Sequence, residues 1–220
     1  MMAESANDAE CLAWHLDARL QVEGGFDAAY VDKRSPILQC ALPKVISGGT
    51  LKFWRDKLEL AIRRPGTGAV ILLTDGDGPQ RVRDAPDYDA LNGGKNDYCP
   101  AAMARWLAAA ARKQVGDRDV SVGVAIACRE YENWLAAGAM QADDERLATV
   151  ETRRDGKGLL KEVLGTSYTA TVSQAAMTRD ADWEAIASRC RSFRHLDTTI
   201  GSLIDAMQSG KPTVRPQVDG

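Results

Sequence analysis

Apolar positions alternate between two rhythms along this chain, and the rhythm changes at each turn signal. The stretch NDAECLAWHLDARL (7–20) predicts a helix: Leu12, Leu16 and Leu20 recur every fourth residue, and Asn7 or Asp8 can cap it. SPILQCAL (35–42) is short, apolar and bounded by prolines, which predicts a strand. GGTLKFWRDKLELAIRRPG (48–66) predicts a second helix. Thr50 is its cap, Leu51, Trp54, Leu58 and Ile62 form its inner face, and Pro65-Gly66 stops it. AVILLT (69–74) does not alternate, so it predicts a strand buried on both faces. A polar stretch over 76–98 reads as a long surface loop. A helix over 99–114 with Pro100 in its first turn, a buried strand over 120–128 (VSVGVAIAC) and a helix over 129–138 (REYENWLAAG) follow.

Strands alternating with helices predict an α/β fold, with a mostly parallel sheet and helices on both faces. From 141 to 207 the patterns GLLKEVLG, TVSQAAMT, ADWEAIASRC and LDTTIGSLIDAM are helical, with no convincing strand. The expected organisation is an α/β domain over 1–140, a C-terminal helical appendage packed on it over 141–208, and a loosely held tail over 209–220.

Composition narrows the classes. The net charge of -3 argues against a generally basic nucleic-acid binder. The 28 lysines and arginines could still gather into one local groove. Five scattered cysteines with no CxxC pair, and two histidines, make a structural zinc site improbable and fit a reducing cytosol. No membrane span and no signal peptide are expected. There is no GxSxG and no Walker A loop.

The candidate chemistry lies in carboxylates. Asp75 and Asp77 follow AVILLT in "TDGDG". In open α/β sheets, ligands gather at the carboxyl ends of strands. Two carboxylates spaced by two can face one cation, and hard oxygen donors suit Mg²⁺ or Mn²⁺. Glycines at 76 and 78 would allow close backbone approach. The same letters also suit an ordinary turn. Glu130 and Glu132 follow the 120–128 strand and could reach the same edge. They equally suit a helix N-terminus, through the macrodipole. Arg153, Arg154, Lys157, Arg189, Arg191 and Arg194 form basic clusters, either phosphate contacts or solvated faces.

Taken together, VILLTDGDG, the helix over 99–114, VSVGVAIACREYENWLAA, GKGLLKEVL, SQAAMT and RCRSFRHL resemble bacterial proteins of the domain-of-unknown-function family 4276, which look like divergent Toprim proteins. The resemblance runs from about 69 to 207. It implies a Toprim-like doubly wound sheet with two acidic positions. The DxD carries over to Asp75 and Asp77. The glutamate carries over to Glu4 in AESANDAECLAWHL, with Ser5 where the family has glycine, and Glu23 ranks second. Only three residues precede Glu4, so the first strand is expected to be missing or a stub. Glu132 with Trp134 matches the recurrent ExW position.

The resemblance implies a Mg²⁺- or Mn²⁺-dependent nuclease acting on DNA or RNA. Glu4, Asp75, Asp77 and Glu132 would be catalytic, with metal held by Asp75, Asp77 and Glu4. Lys157, Arg191 and Arg194 would contact substrate. It further implies a cytoplasmic anti-phage defence effector beside an AAA-type or ABC-type ATPase, with a homodimer allowed. A non-catalytic Toprim-like module that binds the ATPase or a nucleotide is the second expectation. Phosphotransfer to a small molecule, with the 76–98 loop as a lid, is the third.

Overall fold

The computed structural model describes residues 2–3, 6–25, 52–76, 100–165 and 168–216. In chain order these form β1 (Met2–Ala3), α1 (Ala6–Val22), α2 (Lys52–Ile62), β2 (Ala69–Asp75), α3 (Pro100–Val115), β3 (Ser121–Ala127) and α4 (Tyr131–Ala139). A 3-10 helix (Glu145–Thr152) follows, then α5 (Gly156–Leu164), α6 (Ala170–Arg179), α7 (Trp183–Arg189), α8 (Arg191–Ser209) and β4 (Val214–Pro216). The strand expected over 35–42 and most of the 76–98 loop lie outside the described residues. No helix among the described residues is long and apolar enough to cross a membrane.

The strands lie in the order β1-β2-β3-β4, and every neighbouring pair is parallel. β2 and β3 pair along their whole lengths, from Ala69 opposite Ser121 to Asp75 opposite Ala127. Parallel strands in the interior of a sheet are covered on both faces, which is why these two read as unbroken apolar runs. The pleat sorts their residues. Val70, Leu72, Val122, Val124 and Ile126 pack with Trp54 and Leu58 of α2 and Leu107 and Ala111 of α3. Ile71, Leu73, Ala125 and Ala127 pack with Leu12 of α1, Trp134 of α4 and Phe193, Leu196 and Ile200 of α8. The molecule is therefore α/β with a helical layer on each side of the sheet. Each large side chain buried in these layers contributes about 1.5–3 kcal/mol.

The first strand is a two-residue stub. Met2 and Ala3 pair with Leu72 and Leu73. The described chain from 145 to 209 is helical and packs on the sheet, and within it α8 is a core element. Its residues Phe193, Leu196, Ile200, Leu203 and Ile204 recur at helical spacing and are buried in the cluster that covers the second sheet face. The tail differs from expectation. Val214–Pro216 forms β4, Val122 N donates to Thr213 O at 2.8 Å, and Thr213 N donates to Ser121 Oγ at 3.1 Å. Pairing with a strand 92 residues earlier leaves no local periodicity to read.

α8 reaches β3 because position 123 has no side chain. A Cβ on Gly123 would stand 2.7 Å from Thr199 Cγ2 and 2.9 Å from Leu203 Cδ1. Gly123→Ala is expected to cost about 1–3 kcal/mol by pushing α8 off the sheet. Urea unfolding monitored by far-UV circular dichroism would read this as a lower midpoint at unchanged slope.

The other face carries a polar clamp. Glu59 of α2 accepts from Arg118 Nη1 at 2.7 Å, Gln114 Nε2 at 2.6 Å and Arg63 Nε at 2.6 Å. The Arg118, Gln114 and Arg63 hydrogen bonds hold its carboxyl at about 2, below the ordinary 4.5. A depressed carboxyl stabilises the fold above its unfolded value and loses that contribution as pH falls through the folded one. Thermal midpoints should therefore drop between pH 4.5 and about 2. In Glu59→Gln, part of that pH dependence should be gone.

Candidate functional site

The candidate site is the carboxyl edge of β2 and β3. β2 ends at Asp75. Past the last pair of strand residues, Gly76 N donates to Arg129 O at 2.9 Å. Asp75 Oδ1 then accepts from Tyr131 N at 3.1 Å. Tyr131 is the first residue of α4, whose N-terminal amides have no partner within the helix. Glu130 occupies the N-cap position in an extended conformation but makes no side-chain cap bond. The cap therefore comes from the neighbouring strand, and Asp75 fastens the start of α4 to the end of β2.

α4 holds two more polar groups at its start. Glu132 is 4% exposed. Its Oε1 accepts from Tyr168 Oη at 3.3 Å and lies 3.9 Å from Lys157 Nζ. A carboxylate this deep needs such partners, because an unpaired buried charge is costly. Asn133 is also buried, and its Nδ2 donates to Arg153 O at 2.9 Å and Glu151 O at 3.3 Å. These bonds pin the segment that leads into α5. There, Gly156 is required by close packing: a Cβ would lie 2.3 Å from Asn133 Oδ1 and 3.1 Å from Glu130 Oε2. α4 and α5 thus meet start to start, and this meeting brings Lys157 to Glu132.

The other basic residues have work elsewhere. Arg194 Nη1 donates to Ala187 O at 2.8 Å and Ser188 O at 3.0 Å, at the end of α7. Arg189 Nη1 donates to Ala137 O at 2.6 Å and Met140 O at 2.9 Å, at the end of α4. Both meet the orphan carbonyls that helix ends leave behind. Arg191 stands at the start of α8, where its backbone N donates to Glu151 Oε2 at 2.7 Å. Glu151 also accepts from Ser192 N and Ser192 Oγ, so a side chain 40 residues upstream caps this helix. Ser192 Oγ in turn accepts from Trp134 Nε1 at 2.9 Å.

Of the expected site residues, the structure brings Asp75, Glu132 and Lys157 to one neighbourhood, joined through the first turn of α4. Glu4 and Asp77 lie outside the described residues. Glu4 follows directly on Ala3, which pairs with Leu73, two residues before Asp75. Tyr168, Asn133 and Glu151 were not singled out by sequence reasoning. Each acts across 18 residues or more, where no spacing rule applies. Burial pushes the thiols of Cys128 and Cys190 up, and the nearby Glu151 carboxylate adds to both shifts. Neither thiol is primed as a nucleophile.

Among the described residues, no three His, Cys, Asp or Glu side chains converge at metal-binding spacing. Asp75 fits a hard cation, being a carboxylate at a strand's carboxyl end. Glu132 fits one less well, because a lysine ammonium and a tyrosine hydroxyl already face it. No protein-family profile, curated protein or solved structure matches this chain.

Proposed function

We propose that this chain is a Toprim-like, divalent-metal-dependent nuclease whose centre is the carboxyl edge around Asp75. The observation that carries the reading is the tie between Asp75 Oδ1 and Tyr131 N. It fixes a strand-end carboxylate beside the α4 segment that bears Glu130 and Glu132. The strand order adds support, since Met2–Ala3 of β1 runs parallel to β2 on the other side and Glu4 is the next residue in the sequence. In this reading Asp75 holds Mg²⁺ or Mn²⁺ together with Asp77 and Glu4. The bound ion supplies Lewis-acid polarisation of a phosphoryl oxygen. Lys157 steadies the phosphodiester through charge-assisted hydrogen bonds. Glu132, with Tyr168 behind it, positions Lys157 rather than binding metal. Arg191 and Arg194 hold at most outlying substrate contacts. An ATPase partner and a role in defence rest on the family resemblance.

The test uses plasmid, single-stranded DNA and total RNA with wild-type protein in Mg²⁺, in Mn²⁺ and in EDTA. Cleavage of one substrate with either metal, and none in EDTA, is expected. Equal inertness in all three conditions contradicts the proposal.

One observation favours a second reading. Asp75 already serves the fold by capping α4, so a non-catalytic module that binds a partner ATPase or a nucleotide could use it for structure alone. Such a module would bind no Mn²⁺ through Asp75.

A further inference from the structure

α5 and the residue pair before it carry cations of two kinds. Arg153 is spent, because its Nη2 lies 3.1 Å from both carboxylate oxygens of Glu162. Arg154, Lys157 and Lys161 are all exposed. Among the described residues, Arg154 and Lys161 have no carboxylate partner. Lys157 has only buried Glu132, at 3.9 Å, and its own side chain is 58% exposed. Lys157 and Lys161 are four residues apart on one helix, so they share a face one turn from each other. Arg153 also neutralises Glu162, the one acidic residue within α5, and the exposed Asp155 carboxylate is engaged as the N-cap of α5, accepting from Gly158 N at 2.8 Å. That bond closes the N-terminus of α5, so any anion recognised here is recognised by side chains.

A protein of net charge -3 has little general attraction for polyanions. A local strip of three exposed cations leading to the carboxyl edge, two with no carboxylate partner among the described residues and the third, Lys157, 3.9 Å from Glu132, is therefore informative. We infer that Arg154, Lys157 and Lys161 form a track for the sugar-phosphate backbone of a nucleic acid, guiding it along α5 toward Asp75. This rests on the nuclease reading for its direction, but not for its binding. Spaced cations on a solvated helix face meet successive phosphates without reading bases. Glu132 keeps the Lys157 ammonium at the end of the track nearest α4.

The test is fluorescence anisotropy with a labelled 20-nucleotide single strand and its duplex, in EDTA, across a salt series. The full-length wild type is compared with Arg154→Ala/Lys157→Ala/Lys161→Ala. Lys113→Ala/Lys211→Ala, two exposed lysines at the opposite edge of the sheet, is the control. The triple variant should bind on the order of tenfold more weakly, with the salt slope reduced by about 2, and the control should match wild type. A wild type that binds both probes' backbone but never cleaves with Mg²⁺ or Mn²⁺ would sink the nuclease reading and leave the track standing. An unchanged affinity and slope in the triple variant would overturn the inference, as would absence of wild-type binding to both probes. Displacement by polyglutamate as effective as by nucleic acid would also overturn it, assigning the strip to an acidic protein partner.

Discussion

Asp75→Asn is expected to abolish metal-dependent cleavage while leaving the fold almost unchanged. The substitution removes the charge a divalent ion needs. It keeps an oxygen where Oδ1 stands, so Tyr131 N retains its acceptor. Losing several kcal/mol of charge stabilisation in the transition state corresponds to a fall of about 100-fold or more in rate. Asp75→Ala should also lose the cap on α4, worth about 1 kcal/mol of stability. The pair separates two roles of one carboxylate. If Asp75→Asn cleaves normally while Asp75→Ala is merely less stable, Asp75 is a structural cap and nothing more. Initial cleavage rates and thermal midpoints on the same samples decide it.

Trp134→Ala should have the largest effect on stability. Trp134 is 1% exposed. Its ring meets Tyr131 and Phe193 edge-on, with centroids 5.6 and 5.3 Å away. Its Nε1 donates to Ser192 Oγ, which donates to Glu151, the cap of α8. The side chain therefore joins α4 to α8 on the sheet face that α8 covers. Truncating a buried tryptophan costs about 3–5 kcal/mol, a large share of a domain's stability of about 5–15 kcal/mol. Thermal unfolding should fall by about 10 °C. Trp134→Phe should recover part of the loss, because it refills the space but offers Ser192 no donor. A midpoint within 2–3 °C of wild type in the alanine variant, where a kcal/mol shifts it by about that much, would show that this core is looser than described.

The sheet and its layers were legible in the sequence where local rules apply. The unbroken runs ending at Thr74 and Cys128 predict β2 and β3, which end at Asp75 and Ala127, and the four-residue rhythm of Leu12, Leu16 and Leu20 predicts α1. Pro65 and Gly66 correctly closed α2, which ends at Ile62. Local rules do not reach partners far apart in the chain. The apolar stripe of α8 predicts a helix packed on the sheet but not its place in the core, because the face it covers lies far back in the chain, at Gly123 and Ala125. β4 carries little apolar content, and its order comes from pairing with β3. At the site, the carboxyl edge itself was legible from Asp75, Glu130 and Glu132. Their division of labour was not. The sequence suggests that Glu130 or Glu132 favours the start of α4, whereas Asp75 caps it and Glu132 turns to Tyr168 and Lys157. In the sequence Arg194 and Arg189 suit either phosphate contacts or a solvated face, whereas in the fold each closes a helix end. Which cations stay open, as on α5, depends on neighbours that only the fold supplies.

Isothermal titration of Mn²⁺ into wild type and into Asp75→Asn tests the central claim most directly. A single saturable site in the wild type, lost in Asp75→Asn while both proteins unfold at the same temperature, is the predicted result. Equal heats in the two proteins would contradict a metal held by Asp75.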